Sequence, residues 1–407
     1  MRLGFILLWI TSALILSAAA PMQQSDPILS PLSVAIKFGE SITIASTIQT
    51  ENQIDIQEAV LFLKPFNQDT RVYPLNYEQN QANLNISLDE RPIRPFSRVE
   101  CWSQLTLSTG QQFTSPVLTF VYEDNRTDWK RLNQAGIQIS WIDGGLDFGQ
   151  AVLNVTASSI EAVKEYLDAS PPDPLQIYVY PSASELQSAL QISDQPWVAG
   201  HASPDLGVIL ISISQGPDQR AEMERQIPHE LMHIMQYQYA GKGSSRAPVW
   251  FVEGMASVVE LYPNQDYQLS LNRAIEQNGL VPISEFCSSF PSDLSGAFLA
   301  YAESASFVRF LHDNFGSSGL TSLLDGYADG LGCAEGVQSV YGETLAQLEM
   351  RWQSEALGIN PGKQAWGKIG PYVLLALFIL LPIIYTLIPQ RNFQKNTAEP
   401  QGSGEQY

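Results

Sequence analysis

The hydrophobic pattern changes along this chain of 407 residues, and the change divides it into regions of different fold class. Residues 27–122 alternate apolar and polar positions, as in SITIASTI, between clusters of Gly, Asn, Asp and Pro. Such a series of short strands predicts a β-sandwich domain. In residues 129–356, strands such as LQIYVYP and GVILISIS are interleaved with helices, and the pattern is almost wholly helical from Pro217 to Glu355. This order predicts an α+β domain with a helical C-terminal lobe.

Two apolar runs lie near the ends of the chain. Residues 1–20 contain one arginine, a long apolar stretch and then small residues, which is the layout of a secretory signal peptide; an uncleaved membrane anchor is the alternative. Residues 369–388 contain no charged residue and as a helix would reach about 30 Å, so they predict one transmembrane helix. Residues 389–407 would then form a cytoplasmic tail. The expected location is the cell membrane, crossed once, with the N-terminal domains extracellular.

Charge and cysteine content limit the partners of the protein. With 42 acidic and 22 basic residues the net charge is −20, which disfavours nucleic acid as a partner. The three cysteines fit an exported protein with at most one disulfide. Cys287 and Cys333 share a predicted domain and are the favoured pair, whereas Cys101 would be left over. No CxxC spacing occurs, so the sequence does not predict a thiolate metal site.

The run PHELMHIM places His229 and His233 four residues apart. On a helix, this spacing brings both imidazoles to one face, where they can bind a single metal ion. Glu230 lies about 100° around the helix from His229, where it can act as a general base. The alternative is a helix with two incidental histidines. Pro228 leaves the start of this helix open, because the proline either occupies its first turn or kinks a longer helix.

A catalytic zinc usually has three ligands from the protein, so a third ligand is needed. No histidine follows at a short distance, since His312 is far downstream. Glu253, in WFVEGMA, opens a second helix after an aromatic-rich turn, and a helix hairpin could return it to the metal. Glu260 shares the helical face of Glu253, and an outer or surface role suits it better than ligation.

HELMH followed by WFVEGMA resembles the gluzincin branch of zinc metallopeptidases, specifically the bacterial membrane-anchored peptidase MA-like family. The downstream segment LAYAESASFVRFL is similar to a helix of that family that carries a tyrosine near the site, and the resemblance extends over residues 129–352. It implies one zinc ion per chain and a candidate oxyanion donor at Tyr301. It also implies general-base catalysis by Glu230 and the following zinc ligands: His229, His233 and Glu253.

The chain lacks the GxMEN run of the related aminopeptidases and has AGHASPDLGVILIS in that region. An edge strand beside the metal helix can pair with an extended peptide substrate, so His201, Gly207 and Val208 are predicted to bind substrate. For His201, a loop histidine with a purely structural role is the alternative.

The sequence thus predicts a multi-domain protein: a β-sandwich, a zincin-like α+β metalloprotease domain and one transmembrane helix. The predicted function is a membrane-anchored extracellular zinc endopeptidase in which Glu230 is the general base for a zinc-activated water. The predicted partners are peptide or protein substrates and the membrane. The alternative is a catalytically inactive surface protein that binds or adheres through a degenerate protease scaffold.

Overall fold

A computed structural model describes five stretches of the chain, namely residues 27–50, 54–190, 200–262, 264–359 and 370–380. The predicted signal peptide and the predicted cytoplasmic tail lie outside the described residues.

Short strands at the start of the described chain form two antiparallel sheets. They are β1 (Ile28–Leu29), β2 (Ser33–Lys37), β3 (Ser41–Gln49), β4 (Ile56–Pro65), β5 (Arg71–Pro74), β6 (Gln81–Ser87), β7 (Arg98–Leu107), β8 (Gln112–Thr114) and β9 (Leu118–Val121). One sheet has the order β1-β3-β2, with β6 also paired to β3; the other has the order β5-β4-β7-β8, with β9 also paired to β7. Ile42 and Ile44 of β3 and Leu61 and Leu63 of β4 are fully buried in one shared core. This β-rich region agrees with the predicted sandwich.

A third, mixed sheet follows. Its strands and intervening helices are β10 (Lys130–Gln134), β11 (Ile137–Trp141), α1 (Leu146–Tyr166), β12 (Leu175–Tyr180), α2 (Ala183–Leu190), β13 (Gly200–Ser203) and β14 (Val208–Ser212). The strand order is β10-β11-β12-β14-β13, in which β11, β12 and β14 are parallel while β10 and β13 are antiparallel to their neighbours. All five residues of β14 are buried, as expected for an inner strand. Among the described residues, β13 is therefore the outermost strand on its side of the sheet.

The remainder of the described chain is helical. Its elements are α3 (Gln219–Ala240), a 3₁₀ helix (Gly241–Arg246), α4 (Val249–Val258), α5 (Gln265–Gln277), a 3₁₀ helix (Ile283–Phe286), α6 (Leu294–Ala328), α7 (Cys333–Tyr341) and α8 (Leu345–Glu355). Large aromatic side chains form the core of this region, and Trp250, Phe251, Phe307 and Trp352 are fully buried. Gly316 interrupts α6 with φ 69°, which a residue with a side chain rarely adopts.

The chain divides into two compact units, residues 1–160 with 171–234 and residues 161–170 with 235–407. Two of the three boundaries between the units fall inside helices, because α1 continues through position 160 and α3 continues through position 234; the third, after position 170, lies between α1 and β12. The strand-rich first unit and the helical second unit together agree with the predicted α+β fold class.

The predicted transmembrane helix is wrong. Within the predicted span, only residues 370–380 are described as a helix, and such a helix rises about 17 Å against the roughly 30 Å of a bilayer core. In the described part of the chain, no helix has both the length and the apolar character needed to cross a membrane. The apolar composition of residues 369–388 was therefore an insufficient sign of a membrane span.

Candidate metal centre

The buried face of α3 determines the direction in which its histidines point. Ile227, Leu231 and Ile234 are fully buried and recur at helical spacing along one side. His229 and His233 lie on the opposite side and are half-buried. The sequence therefore exposes two imidazoles one turn apart, on a helix that its apolar face fixes in place.

Helix α3 is continuous through its proline and is joined to the mixed sheet. Gln226 donates from Nε2 to the carbonyl oxygen of Ser212, the last residue of β14, at 3.1 Å. Pro228 lies inside the helix, nine residues after Gln219, and not in a first turn. It costs the helix one backbone hydrogen bond, but the histidine spacing after it remains helical.

The carboxylate of Glu253 lies close to both histidines. The ring centroids of His229 and His233 are 5.1 Å apart, with an interplanar angle of 79°. One nitrogen of each ring and one carboxylate oxygen of Glu253 lie within 4.8 Å of one another. Within the described ranges, no other group of three or more His, Cys, Asp or Glu side chains is spaced to hold a metal ion. Glu260 is not a member of this group.

Helix α4 carries Glu253 and is held on two sides. Gln236, one turn after His233 on α3, donates from Nε2 to the carbonyl oxygen of Val252 at 3.2 Å. On another side, Gly254 packs against α6 so closely that a Cβ at this position would lie 2.7 Å from the carbonyl oxygen of Ser304. The residues immediately before and after Glu253 are thus both restrained.

Glu230 lies beside the edge strand β13. Its side chain is 9% exposed. A Cβ at Gly200, the first residue of β13, would clash with Oε1 of Glu230 and would lie 3.0 Å from its Cδ. A side chain at position 200 would therefore displace the carboxylate from its position beside the strand, and a chain lying along β13 would run close to Glu230.

The antiparallel strands β13 and β14 form a hairpin, and the three predicted substrate-binding residues occupy different places on it. His201 lies on β13, and burial, together with the charges of Arg94 and His233, lowers the pKa of His201. Gly207 lies in the turn with φ +68°, and Val208 is a buried residue of β14 that pairs with strands on both sides. Because the ladder of β14 is occupied, the outer edge of the sheet belongs to β13 among the described strands. Substrate binding by these residues remains a prediction.

The β-sandwich contacts the turn of this hairpin through one aspartate. Arg94 donates from Nη1 to Oδ1 of Asp205 at 2.7 Å, and Asn67 donates from Nδ2 to Oδ2 of Asp205 at 2.9 Å. The Asp205 side chain is only 17% exposed, so its bonds are partly shielded from water. The sandwich thereby restrains the turn that connects β13 to β14.

Tyr301 lies near the start of α6 in a group of half-buried aromatic rings. Its ring is stacked on Tyr267 at a centroid distance of 5.8 Å and meets the edge of Phe290 at 4.9 Å. The Tyr301 ring therefore packs against α5 and against the segment that precedes α6. On α6, Tyr301 precedes by one turn Ser304, the residue that contacts Gly254 of α4.

A second acidic side chain, Glu303, is buried in α6. It is 0% exposed, and its Oε1 accepts a hydrogen bond from the Val281 backbone N–H at 3.1 Å. Its Oε2 has no hydrogen-bond partner in the described structure. Burial, reinforced by the nearby charge of Glu349, raises the pKa of Glu303 to about 8. The Glu303 carboxyl group is therefore largely protonated at neutral pH.

The donor set of His229, His233 and Glu253 fits zinc. Two imidazole nitrogens and one carboxylate oxygen are a common ligand set of catalytic zinc, and they leave a fourth position for water or substrate. Glu230, adjacent to His229 in sequence, is not a member of this group, and its carboxylate lies against the start of β13.

Several residues that position the site were not identified from the sequence. Gly200 lies against Glu230, Gln236 bonds to α4, and Trp250 attaches α4 to Cys333. In each case the contacting partner is distant in sequence. The favoured cysteine pair is confirmed, because Cys287 and Cys333 form a disulfide. For Gln236, the one available signal was its position three residues after His233 on the same helix.

A protein-family model agrees with this site. The model described as Peptidase MA superfamily matches residues 155–358, which is half of the chain and includes all the candidate site residues. This match confirms the recognised gluzincin-type peptidase family. No curated protein sequence matches the chain.

Solved structures similar to the chain include a zinc metallopeptidase, an aminopeptidase N family protein and a carbohydrate-binding module. A variant of an M1 zinc metallopeptidase from Deinococcus radiodurans is 12% identical, with a TM-score of 0.34, over 81% of this chain and 92% of that chain. An aminopeptidase N family protein from Idiomarina loihiensis is 10% identical, with a TM-score of 0.33, over 83% and 75%. A family 56 carbohydrate-binding module that binds β-1,3-glucan is 8% identical, with a TM-score of 0.17, over 24% and 99%. At these scores, the three likenesses carry no conclusion about activity.

Proposed function

The chain belongs to the Peptidase MA superfamily, and we propose that it is a zinc-dependent endopeptidase with Glu230 as its general base. The observation that carries the proposal is the convergence of two imidazoles and one carboxylate within 4.8 Å, next to a further glutamate in sequence. A binding protein on a degenerate scaffold has no need of both an intact ligand set and an intact base.

The ligands His229, His233 and Glu253 would hold the ion on α3 and α4. When bound, zinc would polarise the substrate carbonyl and lower the pKa of a water molecule. Two neutral imidazoles and one carboxylate leave the site a net charge of about +1, which favours that chemistry.

Glu230 would move the proton. Its carboxylate takes a proton from the attacking water as the oxygen–carbon bond forms, and it then gives the proton to the leaving amine nitrogen as the carbon–nitrogen bond breaks. Its position supports this role, because the carboxylate is largely buried and lies against the start of β13. A buried base next to a peptide bound along β13 needs little rearrangement to reach both the attacking water and the leaving amine.

An extended substrate would bind along β13, the outermost described strand on this side of the sheet. Backbone N–H and C=O groups of the edge would pair with the peptide, which supplies affinity without requiring a particular side-chain sequence. His201 lies on this strand, whereas Gly207 and Val208 support it from the turn and the inner strand. The peptide would pass Gly200 and so approach Glu230.

A neutral donor would stabilise the oxyanion that develops on the carbonyl. Tyr301 is the first candidate, because a phenol can donate its O–H without adding charge to the site. His201 is the second, since its lowered pKa favours a neutral ring that can still donate one N–H.

The peptidase would act outside the cytoplasm. The Cys287–Cys333 disulfide supports this location, because disulfides persist in oxidising compartments and are rare in the cytosol.

The test compares wild type with Glu230→Gln, using an internally quenched peptide blocked at both ends. Glutamine keeps the shape but cannot accept a proton, so the variant should retain one zinc while kcat falls by about 10³-fold or more. A variant with near-normal turnover would exclude Glu230 as the base. A wild-type chain that binds zinc but cleaves only peptides with a free N-terminus would establish an aminopeptidase.

A further inference from the structure

The first turn of α4, which precedes Glu253, is attached to both cysteines of the disulfide. The Val249 N–H donates to the carbonyl oxygen of Cys287 at 3.1 Å. The Trp250 indole Nε1 donates to Sγ of Cys333 at 3.3 Å. Two consecutive residues of α4 are therefore hydrogen-bonded to the two cysteines of one disulfide.

These contacts add to the backbone bonds at the start of α4, where the N–H groups of Phe251 and Val252 donate to the carbonyl oxygen of Pro248. Pro248, at the N-cap position, provides no side-chain hydrogen bond to the first turn. Trp250 is fully buried, so its indole N–H would be left without a partner in an apolar environment if Cys333 moved away. The position of Cys287 and Cys333 thus determines whether the Val249 N–H and the Trp250 indole N–H keep their hydrogen-bond acceptors.

Cys333 is itself restrained by the core of the helical unit. Its carbonyl oxygen accepts a hydrogen bond from the Tyr327 hydroxyl at 3.0 Å. The Tyr327 ring is fully buried and contacts Phe251, the third residue of α4, at a centroid distance of 5.6 Å. Through the disulfide, Cys287 and the start of α4 are therefore joined to α6 and α7.

We infer that the Cys287–Cys333 disulfide is a positioning element for the metal ligand Glu253, and that metal affinity stays low until this bond has formed. The inference rests on the proposed zinc site. Glu253 lies one turn after Val249 and Trp250 on a helix of ten residues, so movement of the first turn is transmitted to its carboxylate. Metal ligation tolerates displacements of only about 0.2 Å, so a small shift of α4 would weaken binding.

The consequence is a peptidase that acquires its metal only after oxidation of its thiols. Disulfide formation removes two electrons and two protons from Cys287 and Cys333, and a cellular disulfide would accept them. Before that step, in a reducing compartment, the chain would bind zinc weakly and would spare surrounding proteins from cleavage.

The test measures zinc affinity of the full chain by competition with a chromophoric chelator. The double variant Cys287→Ala/Cys333→Ala mimics the reduced chain without adding thiols that bind zinc. Its Kd for zinc should rise by about 10- to 100-fold, the range typical of lost outer contacts to metal ligands. Trp250→Phe keeps the disulfide and an aromatic ring at this position but loses the N–H donor, and it should raise the Kd by a smaller factor. Cys101→Ala removes the free, buried cysteine and should leave the Kd unchanged.

A double-mutant cycle with Glu253→Ala separates positioning from general stability. If the disulfide acts through Glu253, removing both cysteines in the Glu253→Ala background should change the Kd by less than about twofold. An equal loss of affinity in both backgrounds, or an unchanged Kd on disulfide removal, would overturn the inference while leaving the proposed function intact.

Two further results have defined meanings. If the double cysteine variant loses its helical circular dichroism signal, Trp250→Phe decides alone, and an unchanged Kd for it overturns the inference. A wild-type chain that binds no zinc overturns the proposed function and this inference together.

Discussion

Replacing Glu303 by glutamine should remove much of the pH dependence of folding stability between pH 5 and pH 8. The side chain is 0% exposed, and its pKa rises from an ordinary 4.5 to about 8 in the folded chain. Above pH 4.5 the unfolded chain releases this proton, whereas the folded chain keeps it until about pH 8. Each pH unit in that window should lower the free energy of unfolding by about 1.4 kcal/mol, to a total on the order of 5 kcal/mol.

Equilibrium urea unfolding of the oxidised chain, followed by circular dichroism at several pH values, measures this effect. Glutamine can still accept the Val281 N–H through its own Oε1 but carries no charge at any pH. The stability of Glu303→Gln relative to wild type should therefore increase by roughly 4 kcal/mol from pH 5 to pH 8. Some pH dependence should remain in the variant, because burial also raises the pKa of Glu349.

Glu276→Gln, at an exposed position of α5, is the matched control and should leave the pH profile unchanged. Stability curves of wild type and Glu303→Gln that run parallel from pH 5 to pH 8 would show that Glu303 is not protonated in the folded chain. The reasoning from burial would then be refuted, whatever the absolute stability of the variant.

Three other predictions concern the site. Glu253→Ala should raise the zinc Kd more than the roughly 100-fold typical of outer contacts, as measured by chelator competition; tight binding in this variant would mean a different third ligand. Gly200→Ala should displace Glu230 and lower kcat at least about 10-fold with zinc retained, whereas Gly145→Ala, with no atom within 4 Å of the added Cβ, should behave as wild type. Tyr301→Phe should lower kcat by about 10²-fold with an unchanged melting temperature, since the ring stack is preserved; unchanged kcat would assign Tyr301 to packing alone.

The parts of the site that lie on one helix could be predicted from the sequence. The spacing of His229 and His233 fixes their common face regardless of the surrounding fold, and the apolar positions of α3 fix which face is buried. Glu253 could be proposed because a short connection links two predicted helices. The fold class could also be predicted, because the period of the apolar residues distinguishes strand-rich regions from helical ones.

The parts that depend on long-range pairing could not be predicted. The contact of Gly200 with Glu230 arises from the placement of β13 at the edge of the sheet. The local pattern of apolar and polar residues does not determine the order of strands in a sheet. For the same reason, the sequence could not distinguish the edge strand β13 from the inner strand β14, where Val208 lies. For residues 369–388, the apolar composition alone predicted a membrane-spanning helix, but the helix described there is too short to cross a membrane.

The pairing of β11 with β12 has a practical consequence for anyone excising the peptidase from the rest of the chain. The family match begins at residue 155, inside α1, so a fragment cut there would lack β10 and β11. Strand β12, with five of its six residues buried, would become an unprotected edge carrying unpaired backbone groups. Such an edge recruits other chains, and the fragment should aggregate. A soluble fragment must begin before Lys130, where the sheet has its natural border strand.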